Sequence, residues 1–214
     1  MEKENAVVLG AGDFPKHPIP LRLLREAERV VCCDGAAKTY IEKEGRLPWR
    51  IVGDGDSLTL ELRERYHDIV RSYSEQENND QTKATLYLKE HGICDIVYLG
   101  ATGRREDHTI GNVSLLMEYM KMGLRVKMYT DDGVFVPVKD YFSDRMLPEC
   151  LAGAKTISIF SFGAKGLKGE GLMYPLCDFT NWWQGTLNRV TDTSFSITGE
   201  GDFLLFFPYC SEAK

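Results

Sequence analysis

The sequence predicts an α/β fold, a parallel sheet with flanking helices, followed by a smaller all-β sandwich domain. Three observations carry this. From residue 6 to about 129, short apolar runs alternate with segments of helical periodicity. Nearly every apolar run ends in glycine or aspartate. After about Phe142 the helical period disappears and a period of two replaces it.

Ala6-Val7-Val8-Leu9 reads as a buried strand, followed by Gly10-Ala11-Gly12-Asp13 and a proline-rich loop through Pro20. The Gly-x-Gly lacks the third glycine of a dinucleotide fingerprint, so it reads as a turn near a ligand. Leu21, Leu24 and Ala27 mark a short amphipathic helix. Arg29 to Cys33 is a second strand, ending in Asp34-Gly35-Ala36-Ala37, with a helix to about Glu44. Trp49 to Val52 is a third, ending in Gly53-Asp54-Gly55-Asp56-Ser57, with a helix over about Leu60 to Tyr66. A fourth strand is expected at Asp68–Ser72, then a polar stretch and a helix from about Thr82 to Glu90. Ile96 to Leu99 leads into Gly100-Ala101-Thr102-Gly103-Arg104-Arg105-Glu106-Asp107-His108 and a helix to about Met122. Ile110, Val113, Leu116, Met117 and Met120 are placed on its apolar side. Arg125 to Tyr129 is the sixth strand, ending at Asp131-Asp132-Gly133. This order implies a Rossmann-like domain over 1–142. Strands at 156–162, 194–198 and 203–207, punctuated by glycines, imply a β-sandwich over 143–214.

In parallel sheets of this kind ligands bind beyond the carboxyl ends of the strands. Asp34, Asp54 with Asp56, Asp80, Asp107, and Asp131 with Asp132 each follow a predicted strand, so the acids collect at one rim. Residues two apart in an extended segment point the same way, so Asp54 and Asp56 can present two carboxylates together. Paired hard oxygens suit Mg²⁺, which bridges to substrate phosphates. The plain alternative is a strand-to-helix turn with Ser57 as helix cap. Gly100 to Gly103 can wrap phosphate oxygens with backbone N–H groups, and Arg104 and Arg105 add positive charge there. Asp107 also reads as a helix cap, and His108 as either a ligand contact or a structural residue. No P-loop and no nucleophile elbow occurs, which favours metal-assisted phosphoryl chemistry over covalent catalysis.

Composition narrows the class. The chain has 214 residues, 43% hydrophobic and 27% charged, with a formal net charge of −6. An acidic chain of this kind is not a general nucleic-acid binder. No apolar stretch reaches membrane-spanning length. The charged start Met1-Glu2-Lys3-Glu4-Asn5 reads as no signal peptide, and the six cysteines fit no zinc template, so the expected setting is cytoplasmic.

Taken together, Asp34-Gly35-Ala36, Gly53 to Ser57, Asp80 with Thr82, and Gly100 to His108 with Asn112 resemble the thiamin pyrophosphokinase family in order and spacing. Gly166-Leu167-Lys168, Tyr174-Pro175-Leu176 and Ser194 extend the resemblance over nearly the whole chain. It implies transfer of diphosphate from ATP to the hydroxyl of thiamin, giving thiamin diphosphate and AMP. It also implies Mg²⁺ and a homodimer with shared active sites. Asp54, Asp56 and Asp107 match the family's metal- and phosphate-site acids, with Asp80 beside them. Asp34, Gly35, Ser57, Thr82, Lys83, Gly100, Thr102, Gly103, Arg105, His108 and Asn112 are the expected ATP and phosphate contacts. Ser194 is expected in the thiamin pocket. Trp182 and Trp183 either stack on the cationic thiamin ring or belong to core or a dimer interface. Three departures stand out. Lys83 occupies a position where the family has a carboxylate, Arg104 replaces a glycine, and a Ser-Asn pair reads Ser194-Phe195. Lys83 either meets phosphate or the rim acids, or points into solvent. The alternatives for function are a related pterin diphosphokinase and a non-catalytic nucleotide sensor.

Overall fold

The computed structural model describes residues 5–55 and 58–209. Asp56, Ser57 and Cys210 lie outside them. The chain forms two compact units that divide between Asp131 and Asp132. This division falls before the expected 142/143 boundary. The run 133–143, Pro137 included, is a strand that pairs antiparallel with the second unit's longest strand.

The first unit is a parallel sheet. Its strands are β1 (Asn5–Leu9), β2 (Arg29–Cys33), β3 (Arg50–Gly53), β4 (Val70–Ser72), β5 (Asp95–Leu99) and β6 (Arg125–Tyr129). Their order is β6-β5-β1-β2-β3-β4, with every pairing parallel. Helices α1 (Pro18–Glu26), α2 (Ala36–Glu44), α3 (Leu60–Arg65), α4 (Asp80–Glu90) and α5 (Glu106–Lys121) connect them. Strands covered on both faces need continuous apolar runs, and Ala6 to Leu9 and Val30 to Cys33 are buried throughout. The chain leaves β1 toward β2 and returns from β4 to β5, on the opposite side of β1. The carboxyl ends of β1 and β5 therefore flank the point where strand order reverses, the usual place for a ligand crevice.

Two helix readings change. α1 starts at Pro18 rather than after Pro20, because proline is tolerated in a first helical turn, whose N–H groups have no partner within the helix. On α5 the buried residues are Leu116, Met117 and Tyr119, while Ile110 is 57% exposed. Tyr119 goes inward because its hydroxyl meets Thr82 Oγ1 at 2.7 Å.

The second unit is antiparallel. β7 (Gly133–Ser143) and β11 (Ser196–Pro208) form a long ribbon. β8 (Thr156–Ser161) and β9 (Lys165–Glu170) pair with opposite halves of β11, and β10 (Asn188–Arg189) extends β8. Val134 pairs with Phe207, and Phe142 with Ile197. Eight residues of flat strand would hold those two pairs roughly 27 Å apart. Yet the Phe142 and Phe207 rings lie 5.7 Å apart, and both meet Phe195 at 6.2 Å. The ribbon is therefore folded over on itself, which makes the sandwich core. The fold falls where the β11 register shifts between Thr198 and Asp202. There Asp140 takes a left-handed φ of 63°, and its Oδ1 accepts the Gly201 N–H at 2.8 Å. The two apolar runs expected at 194–198 and 203–207 are the two arms of this one bent strand.

Candidate functional site: a glycine-lined cleft and an acidic pocket

The loops after β1 and β5 are laced together. The N–H groups of Gly10, Gly12 and Asp13 donate to the carbonyls of Leu99, Gly100 and Thr102 at 2.8, 2.7 and 2.8 Å. This contact requires glycine. A Cβ on Gly12 would lie 2.3 Å from the Thr102 oxygen, and one on Gly103 would meet the Asp13 carboxylate. Gly100 turns with a φ of +60°. The Gly-x-Gly after the first strand is thus one wall of the site.

Beside these loops lies a cleft of about 280 Å³, lined by Gly12, Thr102, Arg104, Arg105, His108 and Asn112 among others. A smaller hollow between Gly10, Gly12, Gly35 and Thr39 shares Arg104 with it. Asn112 sets the cleft's floor. Its Nδ2 donates to the Ala101 carbonyl at 2.9 Å, and its Oδ1 accepts from Asn79, the N-cap of α4, at 3.1 Å. Arg105 forms a two-point pair with Asp107, Nε to Oδ1 at 3.0 Å, and the His108 N–H donates to the same carboxylate at 2.9 Å. The Arg105 hydrogen bond first, then the His108 N–H, hold the Asp107 carboxyl down to about 2. The pair is exposed on both sides, 70% and 61%, so a ligand phosphate can compete for the guanidinium.

A second group of acids collects around Gly53. A Cβ there would lie 2.6 Å from Asp34 Cβ and 3.2 Å from Asp80 Oδ1. Asp34 is 1% exposed. Burial raises the Asp80 carboxyl above its ordinary value; Lys83 and the Asp54 backbone N–H oppose that rise, and the charges of Asp34 and Asp54 add to it. Burial, then Asp80 and Asp34, also push the Cys33 thiol up, so that cysteine is an inert core residue. Lys83 lies in this pocket, its side chain only 3% exposed and its Nζ 3.8 Å from Asp80 Oδ1. It does not point into solvent.

The structure thus brings Asp34, Asp54, Asp80 and Lys83 together, and groups Gly100, Thr102, Gly103, Arg105, Asp107, His108 and Asn112 around the cleft. Gly35 lines the smaller hollow. Thr82 separates from both groups. Its hydroxyl is bonded to Tyr119 and its N–H to the Asn79 cap. Asp131 is also structural: its Oδ1 accepts the N–H groups of Lys16 and His17, tying down the loop before α1. Arg63 had not been singled out. Its guanidinium lies over Gly55, where a Cβ would fall 2.2 Å from Nη2. An arginine on the helix after an acidic turn was the available signal.

In the second unit, Trp182 and Trp183 lie on a 3-10 turn closed by a capping box between Asn181 and Gln184. Trp182 Nε1 donates to the Ser161 carbonyl at 3.2 Å, and its ring meets Phe162 at 5.3 Å. Trp183 is 70% exposed, and Ser194 is exposed as well.

A parallel sheet with a glycine-lined, arginine-bearing cleft at its switch point makes this an α/β protein of the doubly wound kind. Residues 21–128 match the family model for the thiamin pyrophosphokinase catalytic domain, and residues 133–206 that for the thiamin pyrophosphokinase substrate-binding domain. The chain belongs to the thiamin pyrophosphokinase family, enzymes that transfer pyrophosphate from ATP to thiamin. It is 24% identical to "Thiamine pyrophosphokinase 1" of Oryza sativa subsp. japonica, over 81% of this chain and 76% of that one. It is 32% identical to "Thiamine pyrophosphokinase" of Bacillus subtilis (strain 168), over 39% of this chain and 41% of that one. The crystal structure of thiamin pyrophosphokinase from Geobacillus thermodenitrificans shares the fold, with a TM-score of 0.73 and 22% identity over 98% of this chain and 99% of that one. The yeast thiamin pyrophosphokinase structure does so with a TM-score of 0.75 and 17% identity over 98% and 88%.

Proposed function

We propose that this chain binds ATP in the switch-point cleft and transfers its terminal diphosphate to the thiamin hydroxyl, with Asp54 and Asp56 holding Mg²⁺. The observation that carries the assignment is the meeting of the glycine-lined cleft, with Arg104 and Arg105 on its wall, at the strand ends that also bear the acids. The hydroxyl oxygen attacks the β-phosphorus and loses its proton to solvent, the bond to the α-phosphate oxygen breaks, and AMP leaves. Backbone N–H groups and Arg105 hold the phosphates in line, so most of the work is positioning and charge neutralisation. Arg105 exchanges Asp107 for phosphate when nucleotide enters.

The residues fit Mg²⁺. Burial raises the Asp80 carboxyl, and the neighbouring Asp34 and Asp54 charges add to that rise, a crowding of carboxylates that a cation would relieve. Among the described residues no group of three or more His, Cys, Asp or Glu side chains is arranged to hold a metal alone. Mg²⁺ needs only one or two carboxylates when phosphates and water complete its shell. Asp54 and Asp56 would hold it, and it would supply positive charge against the phosphates. Thiamin is assigned to the second unit, with Trp183 offering an exposed ring to a flat cation and Ser194 a polar contact. We read the working enzyme as a cytoplasmic homodimer with shared active sites.

Asp54→Asn keeps shape and removes charge. Turnover is expected to fall by orders of magnitude in a folded protein, and near-normal turnover at limiting Mg²⁺ would refute the assignment. A subunit disabled at Asp54 mixed with one disabled at Trp183 is expected to recover activity. No recovery despite proven subunit exchange would count against shared sites.

A further inference from the structure

Lys83 is the feature that the reading above does not use. It sits in the first turn of α4, where a cation opposes the helix dipole. Its side chain is 3% exposed, and a buried ammonium is tolerated only with a carboxylate partner. Asp80 supplies one at 3.8 Å. Gly53 lets the Asp34 and Asp80 side chains close over the end of β3, since a Cβ there would touch both. Asp54 adds a third carboxylate to the same electrostatic group and gives Asp80 its backbone N–H. Among the described residues Asp34, Asp54 and Asp80 thus share one pocket with the Lys83 ammonium, and the Arg63 guanidinium lies over Gly55 beside them. With Asp80 taken up by Lys83, Asp54 is the carboxylate left to meet a divalent ion.

We propose that the Lys83 ammonium is a resident cation of the acidic pocket, a positioning residue that takes up Asp80 and so limits the pocket to one divalent ion, held on the Asp54 side. This rests on the assignment of Asp54 to a divalent ion. Lys83 sets the charge that the incoming metal–nucleotide complex meets. The lysine side chain is held in the pocket by burial and by Asp80.

Mn²⁺ is the probe, titrated without nucleotide and counted by the electron paramagnetic resonance of free Mn²⁺. The parent is expected to bind one ion per chain, and Asp54→Asn to lose it. Lys83→Met removes a nearby positive charge and is expected to bind Mn²⁺ about tenfold more tightly or to take a second ion, whereas Lys83→Arg keeps the charge and should match the parent. Thermal melts give an independent readout: Mn²⁺ should raise the melting temperature of Lys83→Met more than that of the parent. If Asp54→Asn loses the ion while Lys83→Met titrates like the parent, the role of Lys83 is overturned and the Asp54 assignment stands. If Asp54→Asn binds like the parent, the Asp54 assignment itself falls. Should Lys83→Met not fold, Lys83→Gln carries the same test. Folding of either neutral variant only with Mn²⁺ supports the inference. Failure of both with and without Mn²⁺ makes Lys83 a fold element and overturns it.

Discussion

Replacing Gly12 by alanine tests whether the two loops form one cleft. The added Cβ would sit 2.3 Å from the Thr102 carbonyl oxygen and 2.6 Å from that of Gly100. Both are backbone atoms and cannot rotate away. Real Cβ atoms essentially never come closer than 3.0 Å, so one loop must retreat by about 0.7 Å. That stretches the Gly12–Gly100 and Asp13–Thr102 hydrogen bonds, now 2.7 and 2.8 Å. Two backbone bonds at about 0.5–1.5 kcal/mol each give a loss of about 1–3 kcal/mol. The melting temperature should fall by roughly 3–10 °C. The same displacement moves the phosphate-facing wall, and a misfit of about 1–3 kcal/mol should raise the KM for ATP about 5- to 150-fold. Gly111→Ala is the control, because nothing lies within 4 Å of a Cβ there; in the middle of α5 it should stabilise by about 0.5–1 kcal/mol. Melting temperature and KM for ATP both unchanged in Gly12→Ala would refute the packing and the placement of ATP together.

Phe142→Ala removes a ring 1% exposed from the folded ribbon and should cost about 3–5 kcal/mol in denaturant unfolding of the second unit; a loss under about 1 kcal/mol would contradict the fold-over. Arg105→Ala should let the Asp107 carboxyl rise from about 2 toward its ordinary value, as read by carbon-13 titration of that side chain. Because the folded carboxyl is depressed, the pair's contribution to stability is present above about pH 4 and lost as pH falls through about 2; being exposed, it should shrink in high salt. A carboxyl that titrates alike in both proteins would show that Arg105 does not hold it. Trp183→Ala should leave stability within about 0.5 kcal/mol while raising the KM for thiamin, whereas Trp182→Ala should also destabilise, through loss of its contacts with Phe162 and Ser161. Equal, negligible effects on thiamin use in both would remove the tryptophans from the pocket.

The alternation of strand and helix in the first unit was legible because its strands are buried on both faces and bounded by glycine and aspartate. The second unit was less so, for physical reasons. Pro137 masks β7, Gly166 and Gly169 dilute β9, and β10 has only two residues. β11 looks like two strands because the bend at Thr198–Asp202 places polar and glycine residues at its centre. The rim acids were found from position along the chain, but their division was not. Asp34 and Asp80 meet only because Gly53 has no side chain, and Asp131 serves a distant loop. Thr82 turns inward because Tyr119 waits there, a partner 37 residues away. The burial of Lys83 needed the structure, since a lysine in a polar first turn reads equally well as solvated.

The most direct test is AMP release from ATP and Mg²⁺ with thiamin, with a hydroxymethyl-pterin, and with no acceptor. The account predicts AMP and thiamin diphosphate in equal amounts with thiamin alone. AMP release with the pterin, or nucleotide binding without AMP release with either acceptor, would contradict it.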